Sequence, residues 1–175
     1  MEQKLEKLKI LLVEDHDAHA ATLTAMLQAF GIRRIDRADD VEAAVRLLRA
    51  GTLYDLMLCD FNLGVINGLS LVKAVRQNDR LTNRYMPIVM VTGDTKPERI
   101  VAAREAGVNN FLSKPVEPPI LLRTVQAILN NPRAFVETKT YFGPDRRNRQ
   151  TDGVQGRREG DHGRTDNDDP SDSWM

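Results

Sequence analysis

Three short, nearly unbroken apolar runs constrain this chain more than any other feature: Lys9-Ile10-Leu11-Leu12-Val13, Leu56-Met57-Leu58-Cys59-Asp60 and Pro87-Ile88-Val89-Met90-Val91-Thr92. Runs so apolar and so short are expected of strands buried on both faces, as in a parallel sheet. Arg33 to Arg37 and Asn110-Phe111-Leu112-Ser113 read as two further strands. Between them, apolar residues recur at helical spacing. Leu23, Met26, Leu27 and Phe30 form one stripe that Gly31 closes, and Val41, Ala44, Val45 and Leu48 form a second, closed by Gly51. Asp39 or Asp40 is placed to cap this second helix. Gly68 to Gln77, Pro97 to Ala106 and Glu117 to Leu129 complete the set. Five strand–helix units with right-handed crossovers specify an α/β, doubly wound, five-stranded parallel sheet with helices on both faces.

The chemistry-bearing side chains fall at the carboxyl ends of these strands. Glu14, Asp15 and Asp17 follow the first, Asp60 ends the third, Thr92 ends the fourth and Lys114 follows the fifth. A parallel sheet brings such ends to one edge, where open α/β folds bind ligands. Carboxylates converging there repel one another unless a cation offsets them, and an all-oxygen donor set with few carboxylates suits Mg²⁺. A carboxylate beside that ion and a lysine can act as nucleophile toward a phosphoryl group, with the Thr92 hydroxyl offering a hydrogen bond to the product.

These residues resemble the receiver domain of two-component response regulators. The matching motifs are Leu12-Val13-Glu14-Asp15, Asp60-Phe61-Asn62-Leu63 with Asn67-Gly68, Val91-Thr92-Gly93 and Phe111-Leu112-Ser113-Lys114-Pro115, spread in order over residues 8–130. The resemblance implies a flavodoxin-like sheet with strand order 2-1-3-4-5. It implies Asp60 as phosphoacceptor, Glu14, Asp15 and Asp60 as Mg²⁺ ligands with the Asn62 backbone carbonyl, and Lys114 as the lysine that contacts the phosphoryl group. Thr92 and Phe111 take the switch positions, and the Lys114-Pro115 bond falls where the family carries a cis peptide. Asn62 and Asp94 take the two variable positions that, in the family, govern how water reaches the phospho-aspartate. Both are small and polar, which implies comparatively fast self-dephosphorylation. Gly64, Gly93 and Phe111 depart from the family's common Pro, Ala and Tyr, and none of the three removes a group the reaction requires.

The implied role is a phosphorylation-dependent response regulator rather than an enzyme acting on a free substrate. A histidine kinase or histidine phosphotransfer protein supplies the phosphoryl group, and a downstream protein reads the change. Two rivals stand beside it: a phosphorylation-independent adaptor working through the C-terminal tail, and a phosphatase of the haloacid dehalogenase type. The second is disfavoured because its nucleophile belongs in an Asp-x-Asp motif near the first strand, whereas this chain has Asp60-Phe61-Asn62 on the third.

Charge and cysteine content narrow the partners. Lys plus Arg and Asp plus Glu both number 25, so bulk charge draws the chain neither to nucleic acid nor to a membrane. The single Cys59 excludes an internal disulfide, and its place before Asp60 makes it a buried structural thiol. The mixed-charge start and the lack of a long apolar run point to a cytoplasmic protein. His16 and His19, three apart, are expected on a solvated helix face. Residues 1–132 read as the receiver unit and residues 133–175 as a polar extension with eight basic and nine acidic residues, disordered over most of 145–175. Within it, Phe135, Tyr141 and Phe142 precede Gly143-Pro144-Asp145-Arg146-Arg147, an aromatic-then-basic segment over 135–149 that reads either as a motif docking onto the chain's own domain or a partner, or as a flexible extension with a local Gly-Pro turn.

Overall fold

The computed structural model describes residues 5–146 except 65, 95 and 139. Its strands are β1 (Lys9–Val13), β2 (Arg34–Ala38), β3 (Leu56–Asp60), β4 (Ile88–Thr92) and β5 (Asn110–Ser113). Its helices are α1 (Asp17–Ala29), α2 (Val41–Arg49), α3 (Gly68–Gln77), α4 (Pro97–Ala106) and α5 (Pro118–Asn130). The five strands pair in parallel in the order β2-β1-β3-β4-β5. Both the sheet and its strand order agree with the sequence expectation.

Alternation along the central strands splits the core into two layers. Leu11, Val13, Met57, Cys59, Ile88 and Met90 pack with Ala44, Leu48, Leu71, Val72, Val75 and Ala103, beneath α2, α3 and α4. Ile10, Leu12, Leu56, Leu58, Val89 and Val91 pack with Ala20, Leu23, Leu27, Leu121 and Val125, beneath α1 and α5. Every residue of β3 and β4 is buried. That is why these segments read as unbroken apolar runs. Among the described residues no helix is long and apolar enough to cross a membrane.

Helix ends follow local chemistry. The Asp40 carboxylate accepts from the Ala43 N–H at 2.6 Å at the start of α2, and Asn67 accepts from the Ser70 N–H at 3.0 Å at the start of α3. Asp39 instead pairs with Arg37 at the surface, at 3.0 Å. The N-cap of α1 is His16, which makes no side-chain capping bond, so neither Asp15 nor Asp17 caps that helix.

Beyond α5 the chain turns back as an antiparallel hairpin, β6 (Phe135–Glu137) and β7 (Phe142–Pro144). The hairpin lies against the end of α3 and the 3-10 turn Thr82–Tyr85. Beneath it, Arg76 is 2% exposed; its guanidinium donates to the carbonyls of Gly107 and Arg84 and to Asn109 Oδ1. Burial pulls the Arg76 pKa down to about 10. Of the expected docking segment, residues 147–149 lie outside the described residues, as do residues 147–175 of the disorder expected over 145–175.

The two neighbouring aspartates before α2 separate cleanly in a stability measurement. Asp40→Ala is expected to cost about 1 kcal/mol in urea unfolding through loss of the cap. Asp39→Ala is expected to cost no more than about 0.5 kcal/mol, since only an exposed ion pair is lost.

Candidate functional site

The site forms where β1, β3 and β5 end. Glu14 continues the row begun by Ile10 and Leu12, Asp60 the row of Leu56 and Leu58, and Lys114 follows Leu112 by two. Side-chain alternation therefore carries all three onto the face that bears α1 and α5. Lys114, 100 residues from Glu14 in sequence, places its Nζ 2.8 Å from Glu14 Oε2 and 2.7 Å from Asp60 Oδ2. Glu14 is 1% exposed and Asp60 6%, so both carboxylates depend on partners rather than on bulk water. Asp60 Oδ1 accepts from the Asn62 backbone N–H at 3.2 Å. Burial by itself would push the Lys114 pKa down. The hydrogen bonds from Lys114 to Asp60 and Glu14 outweigh that effect and hold the ammonium above the ordinary lysine value.

Glu14, Asp15 and Asp60 each offer a carboxylate oxygen, and the three oxygens lie within 4.8 Å of one another. Three carboxylates against one ammonium leave a formal charge of −2, which a divalent cation would neutralise. The donor set is entirely oxygen, and Asp15 is exposed, leaving a solvent-facing side for retained waters. The residues present therefore fit Mg²⁺.

The other expected residues sit around this cluster. Thr92 is buried at the end of β4, in the strand next to β3. Its hydroxyl donates to the Asp94 carbonyl at 3.1 Å and accepts from the Asp94 N–H at 3.0 Å, so it is tied to the following loop rather than to Asp60. Phe111 is half-buried on β5 and packs against the layer beneath α2, α3 and α4. The Lys114-Pro115 peptide is cis. Asp17 turns away from the cluster and pairs with Arg37 at 2.6 Å. Cys59 is fully buried; burial, reinforced by the charges of Asp60 and Glu14, pushes its thiol pKa up and keeps it protonated. Gly64 has φ +64°, a conformation closed to a proline, whose φ is held near −65°.

Sequence reasoning left one neighbour out of the site. His19 does not simply point into solvent: its Nδ1 lies 3.2 Å from Glu14 Oε1 and 3.3 Å from Lys114 Nζ, and its ring stacks on His16 with centroids 4.4 Å apart. The available signal was that α1 starts three residues after Glu14, so its first turn passes over that carboxylate.

Comparison with known proteins accords with this geometry. The response regulator receiver domain family matches residues 10–126. The chemotaxis protein CheY of Pseudomonas aeruginosa is 31% identical over 121 residues, covering 69% of this chain and 95% of that protein. Among solved structures, chemotaxis protein CheY4 of Vibrio cholerae superposes with a TM-score of 0.63 at 30% identity, covering 69% of this chain and 98% of the other. The receiver domain of a sensor histidine kinase from Pseudomonas aeruginosa gives a TM-score of 0.64 at 30% identity, covering 71% and 98%, and that structure has a magnesium ion coordinated in its active-site cleft. With a five-stranded parallel sheet in the order 2-1-3-4-5 and a family match over two thirds of its length, this chain belongs to the response regulator receiver domain family.

Proposed function

We propose that this chain is a phosphorylation-dependent signalling switch of two-component type, with Asp60 as its phosphoacceptor. The observation that carries the reading is the Lys114 ammonium bridging Asp60 and Glu14 inside a cluster of three carboxylates at the sheet edge. Glu14, Asp15 and Asp60, with the Asn62 backbone, would hold Mg²⁺. When bound, that ion would offset the negative charge gathered on the transferring phosphoryl oxygens.

The chain's own groups account for the rest. A carboxylate oxygen of Asp60 attacks phosphorus in line. The bond from phosphorus to the donor's leaving atom breaks, and the leaving group (imidazole from a phosphohistidine, acetate from acetyl phosphate) departs with the electron pair. Lys114, already hydrogen-bonded to Asp60, stabilises the charge on the phosphoryl oxygens. Thr92 exchanges its bonds to the Asp94 backbone for one to the phosphoryl group, and Phe111 repacks beside it. The donor is a histidine kinase or histidine phosphotransfer protein, and a downstream protein distinguishes the two forms.

Three measurements test this reading. Asp60→Asn is expected to abolish phosphoryl incorporation from acetyl phosphate with Mg²⁺, read by intact mass; undiminished incorporation would remove Asp60 as acceptor. Lys114→Met strips Glu14 and Asp60 of their cation. It is expected to lower stability by about 2–4 kcal/mol in metal-free urea unfolding, with part of the loss recovered on adding Mg²⁺. A stability unchanged in metal-free buffer would contradict the charge balance. Asp94, held by Arg99 at 3.1 Å, takes the position that the family resemblance implies governs the access of water to the acceptor. Asp94→Leu is expected to lengthen the lifetime of the phosphorylated form several-fold, followed by loss of the added mass with time.

A further inference from the structure

The hairpin β6–β7 is unused by the strand-end chemistry and lies beyond the family match, which ends at residue 126. It is nevertheless bound tightly to the domain. Tyr85, Phe135 and Phe142 form a three-ring cluster with centroids 5.2 to 5.5 Å apart. The Arg84 guanidinium lies 3.4 Å over the Phe142 ring and reaches Glu137 at 3.3 Å, while buried Arg76 lies 5.0 Å over Phe135. At the end of α4 the backbones of Gly107 and Gly143 also pass close to each other. A methyl group added to Gly143 would come within 2.5 Å of the Tyr141 hydroxyl, 2.8 Å of its ring and 2.9 Å of the Gly107 Cα. The hairpin thus fits the C-terminal end of α4 with no slack.

The opposite end of α4 is tied to the acceptor strand. Arg99, in its first turn, places Nε 3.1 Å from Asp94 Oδ2 and its guanidinium 4.6 Å over the ring of Phe61, the residue after Asp60. Asp94 in turn holds the Thr92 hydroxyl through its backbone. Ten residues of helix, about 15 Å, therefore join the loop beside the acceptor to the surface on which the hairpin sits.

We propose that docking of the C-terminal hairpin and phosphorylation of Asp60 oppose each other, with α4 as the lever between them. The inference rests on Asp60 being the acceptor. A Thr92 hydroxyl drawn to a phosphoryl group must leave the Asp94 backbone, which loosens the loop and the Arg99 tether at the start of α4. Movement of α4 shifts Gly107 against Gly143, where close packing leaves no room for a small accommodation; the contact is either kept or broken. The docked hairpin accordingly holds the domain in its unphosphorylated arrangement. By linkage, whatever factor the phosphoryl group takes from hairpin docking, an undocked hairpin returns to the affinity for that group.

Two measurements on the full chain test this in Mg²⁺-containing buffer, with beryllofluoride as the phosphoryl mimic. Amide hydrogen exchange in β6 and β7 is expected to accelerate at least about fivefold when beryllofluoride is bound. Calorimetric titration is expected to show Phe142→Ala binding beryllofluoride tighter by a similar factor. Gly143→Val, which crowds both the Gly107 backbone and the hairpin's own Tyr141 ring rather than removing a ring from the cluster, is expected to do the same. Beryllofluoride binding with unchanged exchange in the hairpin overturns the coupling and leaves the acceptor assignment standing. No beryllofluoride uptake by the unaltered chain overturns both. The exchange measurement uses no substitution, so it decides the matter even where a variant fails to fold.

Discussion

Four charged groups at one edge of a sheet, three carboxylates and one ammonium, are the constraint around which the rest of this molecule is organised. Glu14 and Asp60 are almost wholly removed from water, and an isolated carboxylate in that position would be costly. Lys114 offsets part of the cost and leaves a formal −2 that a divalent cation would neutralise. Bringing residues 14, 60 and 114 within hydrogen-bond reach requires strands held in a fixed register, and the two apolar layers supply that rigidity. The central strands look uniformly hydrophobic because they serve as the frame for a polar edge.

The sheet could be read in the sequence because β1, β3 and β4 are covered on both sides, so burial leaves an unbroken apolar signature. The site could be read for a related reason: a polar residue closing such a run falls at the strand's carboxyl end, and parallel strands share that end. Features set by long-range packing were harder. Arg76 follows Val75 on α3, and its charge suggests a solvated position. It is buried because the Gly107 and Arg84 carbonyls and Asn109 receive its guanidinium and the Phe135 ring, from the end of the chain, lies over it. The strands of the hairpin are three residues each, too short for an alternating pattern to stand out among charged neighbours. His19 reaches the site through the direction in which α1 leaves β1, which spacing alone does not specify. The choice between Asp39 and Asp40 as helix cap depended on backbone direction at a single residue.

The two ends of α4 meet different chemistries. At its start, Arg99 bonds to Asp94 and packs on Phe61, close to the carboxylate cluster. At its end, Gly107 takes the left-handed conformation that terminates the helix and lets another backbone approach. Gly107 O also accepts from Arg76, so one residue joins α3, α4 and the hairpin.

The three-ring cluster has a practical corollary for anyone trimming the chain to the length its relatives share. A fragment stopping near residue 131 would strip Phe135 and Phe142 from Tyr85 and open the Arg76 guanidinium to solvent. Its surface would then carry a cation that the longer polypeptide covers, beside the Tyr85 ring, which is exposed even in the full chain. Self-association or altered solubility of such a fragment would reflect the cut, not the parent molecule.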